Sequence, residues 1–304
     1  MIRSDNIQYL TQNEIDKKKW DLCIEEAPNG LIYGRSIYLD HMTDHWDGLV
    51  LNDYEAVMPL PWRKKYNIHY LYQPFLTAQL GLFGKHITAE LLTTFFDAIP
   101  KKFRYWDMML NHKNLYSTDR YPLYERMNYV LELNKTYEAL FSSFRENIRR
   151  NIKRAAQYGC HAVKDVDIYE ITALAREQLP GVTEPDLENF VHLFTELKKL
   201  GKAVTYGILS SQNQLLASCV FLFSNGRAYY ILVGNHPNGR TLGASHALIN
   251  EFIREHAGRD LKLDFEGSDI RNLGFFYNSF GAKEEKYTAI KMNRLPRYLK
   301  WFKR

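Results

Sequence analysis

The sequence predicts an α+β chain of two units, each a mixed, mostly antiparallel sheet flanked by helices. A length of 304 residues suits one large domain or two medium ones. The order of elements decides between them: helices, a run of strands, a helix and closing strands occur once in each half. No Pro/Gly-rich linker separates the halves. The boundary is set near Asn134, giving units over 1–134 and 135–304.

In the first half, apolar spacing predicts helices near 12–26 and 35–45. Strands follow at 47–51 and 54–61 around an Asn52-Asp53 turn, and at 68–73. Thr88 reads as the N-cap of a helix with Leu91 in its first turn, running to about Ile99. Strands at 104–110 and 127–133 close the series.

The second half opens on a helix at 137–158, a short strand at 160–164 and helical segments at 167–178 and 185–200. Three strands come next, at 203–210, 214–223 and 227–233, the first pair joined by Ser211-Gln212-Asn213. A loop containing Gly234, Gly239 and Gly243 leads into a helix at 241–256. Strand 260–265, helix 269–279 and strand 283–292 finish the chain.

Composition sets bounds. Hydrophobic content of 45% and charged content of 25% are those of a globular chain. No apolar run approaches a membrane span, and MIRSDNIQYL carries no signal-peptide core, so a cytoplasmic location is expected. The three cysteines, Cys23, Cys160 and Cys219, lack metal spacing and are expected as reduced thiols. A net charge of +5 permits an acidic partner without requiring one. Arg145, Arg149, Arg150, Lys153 and Arg154 fall within ten positions, and the C-terminus RLPRYLKWFKR is basic and aromatic. These fit a solvated helix face and a surface tail, or contacts to tRNA phosphates and an anionic membrane surface.

The stretch from Arg227 to Gly281 says most about ligand chemistry. Strand, glycine-bearing loop and helix succeed one another, and a helix start offers unpaired N–H groups that favour phosphate. Residues 234–241 have the spacing of a phosphate-binding P-loop, with Arg240 in place of lysine. One register on, Arg240-Thr241-Leu242-Gly243-Ala244-Ser245 resembles the acyl-CoA pyrophosphate loop of the GNAT acyltransferases. Tyr277, four residues before Gly281, matches the GNAT tyrosine that serves as general acid in many of those enzymes. Residues 144–156, Leu263–Ser268 and Ser279–Ala282 resemble the FemABX-like branch of that fold, over 137–292 in all.

The resemblance implies tandem GNAT-like domains and N-acyl or aminoacyl transfer. It implies donor contacts at Arg240, Thr241, Gly243, Ala244 and Ser245. The donor is acyl-CoA or aminoacyl-tRNA; the acceptor is the amine of a small molecule or a cell-wall precursor, in a bacterial setting. No metal is expected. Glu266 or Asp264 would take the amine proton, and Tyr277 would protonate the leaving group.

Bland readings stand beside these. Tyr277 belongs to an aromatic stripe with Phe275, Phe276 and Phe280, the pattern of a core face. Asp264 and Glu266 suit a paired-carboxylate site or caps for the helix near Asp269. Ser245 loosely matches a nucleophile elbow and reads better at the start of a helix. His41 and His45 share a helical spacing without a zinc glutamate. In the first half, Val57–Tyr66, Tyr70–Phe75 and Gln79–Gly81 suit a cleft lining or a domain seam. A non-catalytic binding module and a nucleotide-binding protein using residues 234–241 are the alternative functions.

Overall fold

The computed structural model describes residues 6–179, 181–266 and 271–296. The basic tail from residue 297, Gly267, Ser268 and Asp269, near which the last helix is expected to start, lie outside the described residues. The chain packs as two compact units, one up to Arg126 and again from Lys286, the other from Met127 to Glu285.

The first unit contains β1 (Ile7–Thr11), α1 (Lys17–Glu26), α2 (Ser36–Met42), β2 (Trp46–Leu51), β3 (Ala56–Lys65), β4 (Ile68–Leu71), β5 (Phe83–Gly84), α3 (Ala89–Ala98) and β6 (Phe103–Met109). The strand order is β1-β2-β3-β4-β6, with β5 on β3. Neighbours are antiparallel except β4 and β6. On β6 lies the last strand of the chain, β13 (Lys283–Asn293), with Ala289 opposite Met109. Strand β1 has only five half-exposed residues, too few for a period-two pattern to be legible. The helix expected from residue 12 starts at Lys17, because the Asp16 carboxylate caps the N–H groups of Lys18 and Lys19. Thr88 caps α3 through the Leu91 N–H, and Phe95 and Phe96 enter a core with Leu60, Leu71 and Trp106.

The chain from residue 72 to residue 82 has almost no ladder of its own; side-chain amides hold it. Gln73 accepts the Met109 N–H and Gln79 the His112 N–H, each at 2.9 Å. Asn114 accepts the Leu82 N–H at 2.8 Å, while Asn29 donates to the Leu82 carbonyl at 2.8 Å. Buried backbone groups need such partners when no strand supplies them.

The second unit begins within β7 (Leu123–Glu132). It continues with α4 (Tyr137–Ser142), α5 (Glu146–Gln157), β8 (His161–Lys164), α6 (Ile168–Arg176), α7 (Glu184–Lys199), β9 (Ala203–Leu209), β10 (Leu215–Ser224), β11 (Arg227–Asn235), α8 (Pro237–Leu242), α9 (Ala244–His256), β12 (Lys262–Asp264) and α10 (Arg271–Asn278). The order is β7-β12-β11-β10-β9-β8, antiparallel but for the β11·β12 pair. The single helix expected over 137–158 is two. Ser142 and Ser143 turn their hydroxyls back to the carbonyls of Ala139 and Leu140, and the break buries Phe144 against Phe280. The core joins Ile148 of α5 and Leu248 and Phe252 of α9 to Tyr206, Phe221 and Tyr230 of the sheet. Phe221 stacks on Phe252 at 3.7 Å between ring centroids. No helix among the described residues is long and apolar enough to cross a membrane.

Candidate functional site

Strands β11 and β12 run parallel for only three residue pairs, Arg227–Tyr229 against Lys262–Asp264. Beyond Asp264 the chain turns to β7, with the Phe265 N–H on the Tyr129 carbonyl at 3.0 Å. Strand β11 continues to Asn235, and its register to β10 shifts between Ser218 and Val220. Leu232 has φ of +47°, a bulge conformation that bends a strand. The two strands therefore part after Tyr229 and Asp264. Three rings gather at the parting: Phe265 stacks on Tyr277 at 4.4 Å, and Tyr230 stands edge-on to both, at 6.0 and 6.5 Å.

The loop expected after β11 is folded into a short helix. His236 caps α8, Pro237 opens it, and Gly243 closes it with φ of +76° while starting α9. The His246 and Ala247 N–H groups bond to the Gly243 carbonyl. Those of Ala244 and Ser245 have no acceptor among the described residues. Arg240 and Thr241 are exposed in the last turn of α8, and Arg154 of α5 donates to the Thr241 carbonyl at 3.3 Å. Arg240, Arg154 and two free N–H groups thus share one corner. The glycines also meet the surrounding backbone closely. A Cβ at Gly239 would lie 2.2 Å from the Leu216 carbonyl oxygen, and one at Gly243 would lie 2.6 Å from that of Asn151. Both serve internal packing, and Gly234 lies within β11. Ser245 donates its hydroxyl to Asn235 Oδ1, which ties α9 to the end of β11.

The two carboxylates expected as a pair have different surroundings. Asp264 is buried; it accepts from Arg227 at 2.7 Å, from Asn128 at 2.9 Å and from the Glu266 N–H at 2.9 Å. Arg227 also holds Glu285, at 2.8 and 2.9 Å. Asp264 thus belongs to an ion cluster beneath the site, and it fixes the backbone of Glu266 (φ +62°). Tyr277 of α10 is buried among rings; burial, and then the nearby Glu266 charge, push its hydroxyl well above the ordinary range. It is protonated at neutral pH, as a proton donor must be.

Of the five basic residues singled out on and just before α5, Arg149, Arg150 and Lys153 are exposed and make no ion pair among the described residues. Arg145 instead donates to Asn278 at 2.7 Å and lies over the Phe275 ring. His41 contacts its own helix and His45 stacks on Trp62. No group of three or more His, Cys, Asp or Glu side chains among the described residues is placed to hold a metal.

His246 was not singled out by its sequence. It sits in the first turn of α9, facing Asn151 Nδ2 through Nε2 at 3.3 Å and Phe276 edge-on at 5.0 Å. Its Nδ1 is buried without a partner among the described residues, and burial lowers the imidazole to about 4, so the ring is neutral at pH 7. Its place three residues after Gly243 was the available signal.

A family model described as "Acetyltransferase (GNAT) domain" matches residues 142–271. No curated protein matches the chain. Among solved structures, FemX superposes with a TM-score of 0.64 at 13% identity, over 93% of this chain and 97% of FemX. The C-terminal domain of a putative lysylphosphatidylglycerol synthetase from Agrobacterium fabrum gives 0.57 at 12%, over 94% and 93%. A tandem GNAT protein from the clavulanic acid biosynthesis pathway gives 0.53 at 11%, over 95% and 99%. The parting of β11 and β12, the turn into α9 and these likenesses agree: the chain has the GNAT fold.

Proposed function

We propose that this chain is an N-acyltransferase that moves an acyl group from a phosphate-bearing donor to an amine. The observation that carries the reading is the corner where the free N–H groups of Ala244 and Ser245 meet Arg240 and Arg154. Such a corner suits a pyrophosphate: helix N-terminal amides point at the anion, and arginine forks bind its oxygens. An acyl-CoA donor would supply an activated thioester carbonyl. The amine attacks that carbon, Glu266 takes its proton, and Tyr277 gives a proton to the departing sulfur. Backbone N–H groups of β11 beyond Tyr229, where β12 has turned away, are the oxyanion donors in this reading. Asp264 holds the Glu266 backbone in place.

A second donor has its own support. The unpaired cations Arg149, Arg150 and Lys153 on α5 suit RNA phosphates, which favours aminoacyl-tRNA. Both donors need the same amine acceptor chemistry, on a small molecule or a cell-wall precursor, in a cytoplasmic setting.

The test is thermal unfolding with CoA, acetyl-CoA, longer acyl-CoAs and ATP with magnesium, followed by a transfer assay on simple amines. A ligand at ~100 times its dissociation constant adds about 2.7 kcal/mol, a readily visible rise in midpoint. A rise with acyl-CoA that needs Arg240, together with acyl transfer, supports the reading. A rise with no transfer to any amine replaces the enzyme with a binding module. A rise with ATP alone replaces it with a nucleotide-binding protein.

A further inference from the structure

The first unit holds a cavity that the transfer chemistry does not use. Its volume is about 540 Å³, within the range of small-molecule sites. Its floor is apolar: Leu51, Ala56 and Leu91 are buried, and Cys23 is half-buried. Burial pushes the Cys23 thiol up to about 11, so it lines the floor as a neutral group. Leu22, on the wall, is 54% exposed, an aliphatic side chain left in water beside an apolar floor.

Helix α1 makes this wall because Lys19, Leu22, Cys23 and Glu26 recur at helical spacing on one face. Its other face sends Trp20 and Ile24 into the core. The hairpin opposite is braced: the Tyr54 hydroxyl accepts the Asp16 N–H at 2.7 Å, ahead of the first turn of α1. The cavity is therefore built into the folded unit rather than opened by a ligand.

Charge marks two ends, two helical turns or roughly 10 Å apart along α1. At one end Lys19 meets Asp53 at 2.6 Å, with Glu55 beside them, held by Asn52 at 2.9 Å. At the other, Lys85 meets Glu26 at 2.6 Å beside His86. The Lys19 end has two carboxylates to one ammonium. Both ion pairs are open to water, and such pairs exchange partners at little cost.

We propose that this cavity binds a small zwitterion with an apolar body, the chemistry of an α-amino acid with a large aliphatic or aromatic side chain. Its ammonium group meets Asp53 and Glu55, and its carboxylate meets Lys19. Its side chain covers Leu51, Ala56 and Leu91 beneath Leu22. A purely anionic ligand would leave two carboxylates facing its charge, and a purely cationic one would leave Lys19 unanswered. The proposal does not rest on the transfer reading, because every residue in it belongs to the first unit.

The experiment is methyl NMR of the leucine-labelled full chain, titrated with L-phenylalanine. Phenylpropionate, which lacks the ammonium, and phenethylamine, which lacks the carboxylate, are the matched probes. Saturable shifts of Leu22, Leu51 and Leu91 are expected with L-phenylalanine, and at least roughly tenfold weaker binding of either matched probe. Asp53→Lys, at an exposed position, should weaken L-phenylalanine about tenfold without weakening phenylpropionate. Leu22→Glu, also exposed, should weaken all three. No shift of these methyls by about 10 mM L-phenylalanine overturns the proposal, as does equal binding of the three probes or an unchanged affinity in Asp53→Lys.

Discussion

Gly243 stands so close to Asn151 that a Cβ at position 243 would fall 2.6 Å from the Asn151 carbonyl oxygen. With φ of +76°, the same residue ends α8 in the left-handed region. It lets α5 lie against the start of α9, so its conformational freedom serves the scaffold of the donor corner. Gly243→Ala should therefore lose stability itself, on the order of 2–4 kcal/mol from backbone strain and overpacking together. Urea unfolding measures this, and an unchanged midpoint would mean that α5 yields without cost.

Arg240 separates binding from packing. It is exposed and makes no ion pair among the described residues, so Arg240→Ala should leave stability within about 0.5 kcal/mol. A hydrogen bond to a charged group is worth about 1.5–3 kcal/mol, so donor affinity should fall roughly ten- to hundredfold. Calorimetric titration of CoA compares the two proteins. Equal affinities would take Arg240 out of the donor site.

Much of the scaffold was legible because it rests on local chemistry. Thr88 and Leu91 define a cap by their own spacing, and strand β11 has the aromatic and β-branched residues of a strand. The site was legible only in part. That Asp264 is claimed by Arg227, 37 positions away, is a tertiary fact that strand alternation with Glu266 cannot reveal. Nor can the sequence tell that Gly239 and Gly243 face the backbones of Leu216 and Asn151. The break at Ser143 was hidden because helical periodicity resumes in phase after it, with Phe144 and Ile148 both buried. Strand β1 and the amide-held chain around Gln73 and Gln79 have no period to read, since their order comes from distant partners.

Arg227 is the keystone of the ion cluster below the site. Its side chain is 7% exposed, and its guanidinium is shared by Asp264 and Glu285. Removing it takes the shared guanidinium from two desolvated carboxylates, so Arg227→Met should cost about 3–5 kcal/mol. Asp264→Asn keeps one acceptor oxygen for the Glu266 N–H and leaves Arg227 paired with Glu285, so it should cost less. Paired denaturation curves test the order, and the reverse order would mean that Asp264 carries the strain.

Tyr277 is held by its ring, which stacks on Phe265, and no protein acceptor takes its hydroxyl among the described residues. Tyr277→Phe should therefore keep the fold and its midpoint. If the hydroxyl is the general acid, the acyl-transfer rate falls by about 10²–10⁴-fold. The rate for a thioester with a better leaving group should fall less, because a more acidic thiol needs less help. Equal rates in the two proteins would return Tyr277 to a packing role.

His246 gives the fold a pH dependence whose sign follows from its burial. In the folded protein the imidazole is pushed down to about 4 from an ordinary value of 6.5. Between these values the unfolded chain binds more protons than the folded one, so stability falls as pH drops from about 6.5 to about 4. The shift corresponds to about 3 kcal/mol by the lower end of that window. His256, also lowered by burial, adds to the fall in the same sense. His246→Phe removes this contribution and the unpartnered Nδ1, and places a ring beside Phe276 and Phe280. The midpoint of the variant should therefore decline less steeply across the window while matching or exceeding the parent at pH 7. An unchanged slope would mean that the folded protein accommodates the imidazolium, which a direct NMR titration of the His246 ring would register as a value near 6.5.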